Sequence, residues 1–236
     1  MYFDIYYLII VLPFALLAAL ASASVTATYK RYSREPLSCG MSGADVARMV
    51  LRDHGVVGVE VRHCDGELTD HYDPRDNTIY LSDAVYGGTS AAAAGVAAHE
   101  AGHAVQHAEE YLPGRIRTAL VPVTNIGSRL SVWVILLGIL LCLLSEAFAV
   151  VAYFGIALFS LTALFQLVTL PVEFNASRRA VETLRQSGYL DEGEIAGTRK
   201  VLTAAAMTYV AALAVTLAQI LRLVIRVAQI VGRNRD

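Results

Sequence analysis

At 236 residues the chain can hold one or two domains, but its composition bounds it more tightly: 56% apolar residues and a mean hydropathy of +0.50 exceed what an ordinary soluble domain carries, and 17% charged residues fall short of it. A formal net charge of -2 with no basic stripe argues against a nucleic-acid partner. Three cysteines (Cys39, Cys64 and Cys142), an odd number without a C-x-x-C pair, argue against a disulfide framework or a cysteine zinc site.

The first apolar run, from about Tyr6 to Ala27, is long enough to cross a hydrocarbon core of roughly 30 Å. Ala21-Ser22-Ala23 offers the small residues of a cleavage site, which leaves a signal peptide as the alternative. Met1-Tyr2-Phe3-Asp4 lacks a basic residue, however, and Lys30, Arg31 and Arg34 follow the run. That pattern favours an uncleaved anchor, its N-terminus outside and the next loop cytoplasmic. In the polar stretch beyond it, Ser42-Gly43-Ala44-Asp45 reads as a capping box opening a helix that turns Val46, Met49 and Val50 inward and ends at Gly55. Val57–Val61 alternates as a short strand. The turn-rich Asp70–Asn77 then leads into a second strand, Thr78–Leu81, and Thr89-Ser90 caps an alanine-rich helix running to about His107.

Val132 to about Leu170 is almost continuously apolar, broken chiefly by Ser145-Glu146, and its length suits two helices joined by a tight turn. One long helix with an interfacial piece is the alternative. The last apolar stretch begins near Val201 and fades beyond Gln219, where Arg222, Arg226, Arg233 and Arg235 break the positive-inside trend. It ends either as a span or along the membrane surface. The expected organisation is an N-terminal anchor (1–29), a catalytic region (30–131), a transmembrane hairpin (132–171), a second polar segment (172–200) and a C-terminal helix (201–236). The fold class is then a mainly α-helical integral membrane protein of about four spans with a small zincin-like α+β region. An even number of spans between the two polar segments puts both on one membrane face.

Within the alanine-rich helix stands His99-Glu100-Ala101-Gly102-His103. Two histidines four apart share a helix face about 6 Å apart along the axis, so both imidazoles can reach one metal, and Glu100 can approach a water there. Imidazole ligation favours Zn²⁺, which takes three protein ligands at catalytic sites. His107 repeats the four-residue step, but its root lies about 12 Å from that of His99. It reads better as a supporting residue. The metzincin pattern is excluded, because Gln106 stands at its glycine position and Glu109 at its third histidine. A carboxylate from a second helix is the better third ligand. Glu173 lies where the apolar run ends, with Asn175 and Ser177 beside it to orient ligands; an interfacial glutamate paired with Arg178 or Arg179 is the plainer reading.

Three segments together resemble the YugP-like neutral zinc metallopeptidases of bacteria: Asp70-His71-Tyr72-Asp73-Pro74-Arg75, Ala97–Ala104 and Leu167–Arg179. The resemblance covers nearly the whole chain, including Ala204–Ala212, and implies a membrane zinc protease. A looser similarity links the chain to the HtpX-like and prenyl-processing membrane proteases, whose third ligand sits in an E-F/Y-x-A-D motif. That similarity carries Glu173 over as a ligand, with Ser177 standing where those proteins have aspartate.

The expected activity is hydrolysis of peptide bonds in membrane or membrane-adjacent proteins, with Glu100 as general base. His71, Tyr72 and Arg178 are candidates for oxyanion or substrate contacts, although His71 and Tyr72 also read as turn residues. Thr78–Leu81 is either a sheet edge that pairs substrate or an ordinary strand. The expected setting is the bacterial inner membrane, multi-pass, with the catalytic region cytoplasmic and the bilayer and peptide or membrane-protein substrates as partners. A metal-binding scaffold that does not cleave is the competing function, and Glu100 counts against it. A transporter is disfavoured, because no span carries a ladder of ionisable residues.

Overall fold

The computed structural model describes residues 4–233, excepting the side chain of Arg233. Met1, Tyr2, Phe3 and Arg235, which entered the charge argument above, lie outside the described residues. Among the described residues four helices are long and apolar enough to cross a membrane: Tyr7–Tyr32, Leu112–Leu141, Glu146–Ser187 and Glu192–Gly232. The chain divides into two compact units, one made of Ala21–Arg115 and Pro171–Met207, the other of the remaining chain.

The first unit takes the end of helix α1 (Leu12–Tyr32) and then helix α2 (Gly43–Asp53). The expected capping box forms, with Ser42 Oγ accepting from Asp45 N–H and the Asp45 carboxylate accepting from Ser42 N–H, both at 3.2 Å. Strands β1 (Glu60–Cys64), β2 (His71–Asp73) and β3 (Thr78–Ser82) make a sheet of order β1-β3-β2, parallel between β1 and β3 and antiparallel between β2 and β3. Two expectations are corrected here. The first strand starts at Glu60 instead of Val57, because Gly58 takes φ +77° and its carbonyl accepts from the Asn77 side chain. Thr78–Leu81 is no edge: β3 is paired on both sides and largely buried, and the edges are β1 and β2, the latter inside the stretch read as turn-rich.

A short helix α3 (Asp83–Tyr86) leads to α4 (Ala91–Ala108), capped by Ser90 Oγ accepting from Ala93 N–H. Its alanines from Ala91 to Ala104 are buried almost completely, so neighbouring backbones approach α4 closely. The unit's core joins Val46, Met49 and Val50 of α2, Ile79 and Leu81 of β3 and the α4 alanines to Ala180, Leu184 and Ile195.

Helix α5 (Leu112–Leu141) begins well before the apolar run at Val132, and α6 (Ala149–Ser187) continues well past Pro171. The polar end of α6 stays helical because Ala176, Ala180 and Leu184, four residues apart, bury one continuous face. The expected turn lies at Ser145-Glu146, where Ser145 Oγ caps a short 3₁₀ turn. In the second unit α5 and α6 pack through glycine: a Cβ on Gly138 would meet the Ala152 backbone at 2.3 Å, and one on Gly155 would meet Ile135 N at 2.7 Å. Helix α7 (Glu192–Arg233) is continuous. Two of its late arginines find a carboxylate: Arg222 donates to Asp4 Oδ2 at 2.6 and 2.9 Å, with Arg226 at 3.8 Å from the same oxygen.

Candidate metal centre

The approach of α4 to α6 turns on Gly102, where a Cβ would stand 3.0 Å from the Ala176 carbonyl oxygen. With the backbones this close, Glu173, about one turn before Ala176, and Ser177, directly after it, reach the His99–His103 face. The two imidazoles stand edge to face with ring centres 4.6 Å apart. Glu173 Oε2 lies 3.3 Å from His99 Nε2 and 3.7 Å from His103 Nε2, and one ligand atom from each of the three residues falls within 4.8 Å of the others. Glu173 is 3% exposed, and each histidine side chain 15%.

Both rings are aimed by their other nitrogen. Ser177 Oγ sits 3.1 Å from His99 Nδ1, and Gln106 Oε1 sits 3.0 Å from His103 Nδ1. The Gln106 amide donates to Val172 O and to Asn175 Oδ1, each at 2.9 Å, which fixes its oxygen toward His103. His103 Nδ1 must then carry the hydrogen, leaving the Nε2 lone pair facing Glu173. Arg179 extends this chain, donating to Asn175 Oδ1 at 2.8 Å and pairing with Glu109 at 2.7 Å.

Glu100 Oε2 accepts from the Tyr72 backbone N–H at 3.0 Å. That amide points away from β3, so the sheet edge holds the carboxylate in place. Burial pushes the Glu100 carboxyl above its ordinary pKa, against the pull of the His99 and His103 imidazoles. Burial disfavours a charged His103, yet the facing Glu173 and nearby Glu100 carboxylates more than offset it and raise its pKa. The same negative potential favours a metal cation.

Of the remaining candidates, Asn175 and Ser177 join the cluster, and the side chains of four others stand outside it. His71 is exposed, stacked on Tyr80 with its Nδ1 against Thr69 O at 2.7 Å. The Tyr72 hydroxyl donates to Asn77 Oδ1 at 2.7 Å, and burial pushes its pKa up to about 12, so its backbone and not its ring serves the site. His107 is exposed beside the Tyr72 ring, with centres 5.9 Å apart. Arg178 is exposed and lines a cavity of about 520 Å³ beside Ser177. Gln106 entered the sequence reading only as a departure from the metzincin pattern. Its position three residues past His103, as a polar group on an alanine-rich helix, was the signal for its role.

The family model described as "Putative neutral zinc metallopeptidase" matches residues 7–228. The chain is 43% identical over 204 residues to a protein of Bacillus subtilis (strain 168) named "Putative membrane protease YugP", covering 86% of this chain and 88% of that one. The chain belongs to this zinc metallopeptidase family. Membership implies zinc as cofactor. No solved structure matches it.

The residues fit the family's metal. Tetrahedral zinc with bonds near 2.05 Å places adjacent ligand atoms about 3.4 Å apart. The contacts of 3.3 and 3.7 Å from Glu173 to the two histidines straddle that figure. Two imidazoles and one carboxylate form a donor set used at catalytic zinc, and both imidazoles have the supporting hydrogen bond such ligands require.

Proposed function

We propose that this chain is a membrane-embedded zinc metallopeptidase in which His99, His103 and Glu173 hold the metal and Glu100 is the general base. The carrying observation is the convergence of His99 Nε2, His103 Nε2 and Glu173 Oε2 in a buried pocket, with Glu100 held beside them by Tyr72 N–H. Zinc bound there would supply Lewis acidity, polarising a peptide carbonyl and acidifying a water. Glu100 Oε2 is engaged by the amide, which leaves Oε1 to receive the water proton and pass it to the departing amine as the C–N bond breaks. Ser177 and Gln106 keep the imidazoles oriented through this transfer. Among the side chains considered for the developing oxyanion, the Tyr72 hydroxyl is tied to Asn77 and the His71 ring to Thr69. Arg178, which borders the cavity next to Ser177, is the remaining candidate.

Four helices of spanning length and the name of the Bacillus relative support a multi-pass setting. Lys30, Arg31 and Arg34 after the first span support a cytoplasmic catalytic face on the bacterial inner membrane. Substrates on this reading are membrane or membrane-adjacent polypeptides.

The decisive comparison is detergent-purified wild type against Glu100→Gln, measured for zinc content and for cleavage of a panel of unfolded and membrane proteins. Wild type is expected to hold about one zinc and cleave; the variant is expected to hold zinc and lose about 10²–10⁴-fold in rate. Zinc in both with cleavage by neither would move the scaffold reading ahead, because a structural site needs no general base.

A further inference from the structure

A second cavity in the same compact unit, of about 630 Å³, opens between α1 and α7. Its walls are graded. Arg31 on α1 and Arg199 and Lys200 on α7 form one end, and the lining contains no carboxylate. The helices run antiparallel here: the Tyr32 ring lies against Gly197 and under the Lys200 ammonium, so Ala21 falls at the Met207 end. Between these ends stand the hydroxyls of Ser24, Thr28 and Thr203. On other spans such hydroxyls turn back onto their own helix, as Ser160 does to Ile156 O and Thr216 to Ala212 O. Ser24, Thr28 and Thr203 make no such bond among the described residues, and neither Arg199 nor Lys200 has an ion-pair partner there.

We propose that this cleft binds one anionic phospholipid. The phosphate would sit among Arg31, Arg199 and Lys200, the ester region beside the three hydroxyls, and an acyl chain along Ala21 and Met207. Three observations select a lipid over a free anion: the cations sit at one end only, the polarity falls steadily along both helices, and both walls belong to helices of spanning length. The inference rests on the membrane part of the proposed function and not on the protease chemistry.

The test is native mass spectrometry of the full-length detergent-solubilised protein. Palmitoyl-oleoyl phosphatidylglycerol is offered against phosphatidylcholine of the same chains, with and without inorganic phosphate. Wild type should retain one phosphatidylglycerol in preference to phosphatidylcholine. Arg199→Gln/Lys200→Gln should weaken that retention by roughly fivefold per charge, about 25-fold together. The charge-keeping pair Arg199→Lys/Lys200→Arg should retain it. Arg34→Gln, the same kind of charge loss outside the cleft, should change it less than twofold. Equal retention of both lipids, an equal loss in Arg34→Gln, or full displacement by inorganic phosphate would each overturn the proposal. Carbonate extraction of membranes separates the two levels: release of the chain sinks the membrane reading itself, whereas an embedded chain without the preference sinks only the lipid site.

Discussion

Two glutamines mark the difference between the two units. Gln106, in the unit that carries the histidines, has its amide nitrogen bonded to Val172 O and Asn175 and its oxygen on His103. Gln166, in the other unit, has a buried Oε1 without a hydrogen-bond partner among the described residues. Large apolar side chains divide in the same way. In the first unit Ile79 and Leu81 are fully buried, whereas in the second Trp133, Leu136, Leu137 and Leu140 on α5 face outward. One unit is held together by an apolar core and directional polar contacts. The other packs its helices through Gly138 and Gly155 and turns large apolar side chains outward.

The strongest way to break that contrast is Glu173→Ala. The substitution removes one of three convergent ligand atoms and leaves two imidazoles facing an empty side. Zinc affinity, measured by competition with a chromogenic chelator, should fall by more than the roughly 100-fold that loss of a supporting residue costs. Retention of wild-type affinity would remove Glu173 from the ligand set and return it to the plainer reading of an interfacial carboxylate.

A matched pair sharpens the comparison. Gln106→Leu roughly keeps the volume but frees the His103 ring and leaves Asn175 Oδ1 to Arg179 alone, so zinc affinity should drop about 10–100-fold. Gln166→Leu should leave zinc affinity within twofold and stability unchanged or slightly raised, since an unbonded buried amide oxygen is exchanged for an apolar group. Equal effects from the two would mean that the network around His103 does not set the site.

How much of this was legible depended on distance along the chain. The His99–His103 pair, the Ser42–Asp45 capping box and the turn at Ser145 are encoded within a few residues; in the structure the two imidazoles lie side by side, the box closes and the chain turns there. Strand β2 was missed because its three residues are a strand only by pairing with β3, and its local signals of Asp, Pro and Asn are those of a turn. The ends of α5 and α6 were misplaced because apolar runs report only where a helix is apolar on every side, while helices persist wherever one face is buried. Residues 171–187 bury theirs against α4 through Ala176 and Ala180. The link from Gln106 to Asn175 spans 69 residues, and nothing in either neighbourhood names the other.

The smallest expected effect lies at the outer rim of that network. Arg179 donates to Asn175 on one side and pairs with Glu109 on the other, and this hydrogen bond holds the Glu109 carboxyl below its ordinary pKa. A carboxylate whose pKa is depressed by folding contributes stability above its unfolded pKa, about 4.3, and loses it as pH falls through the folded value. Glu109 is half exposed, so solvent screening limits the contribution to a fraction of ~1 kcal/mol. Glu109→Gln should therefore melt slightly lower than wild type at pH 7, and the gap should close as pH drops below about 4. Zinc affinity should barely change, because Asn175 still receives the Gln106 amide once Arg179 has lost its partner. If Glu109→Gln instead weakened zinc as far as Gln106→Leu, the ring of His103 would be held from the surface inward. The unit's outer ion pair would then belong to the metal site as much as the glutamine does.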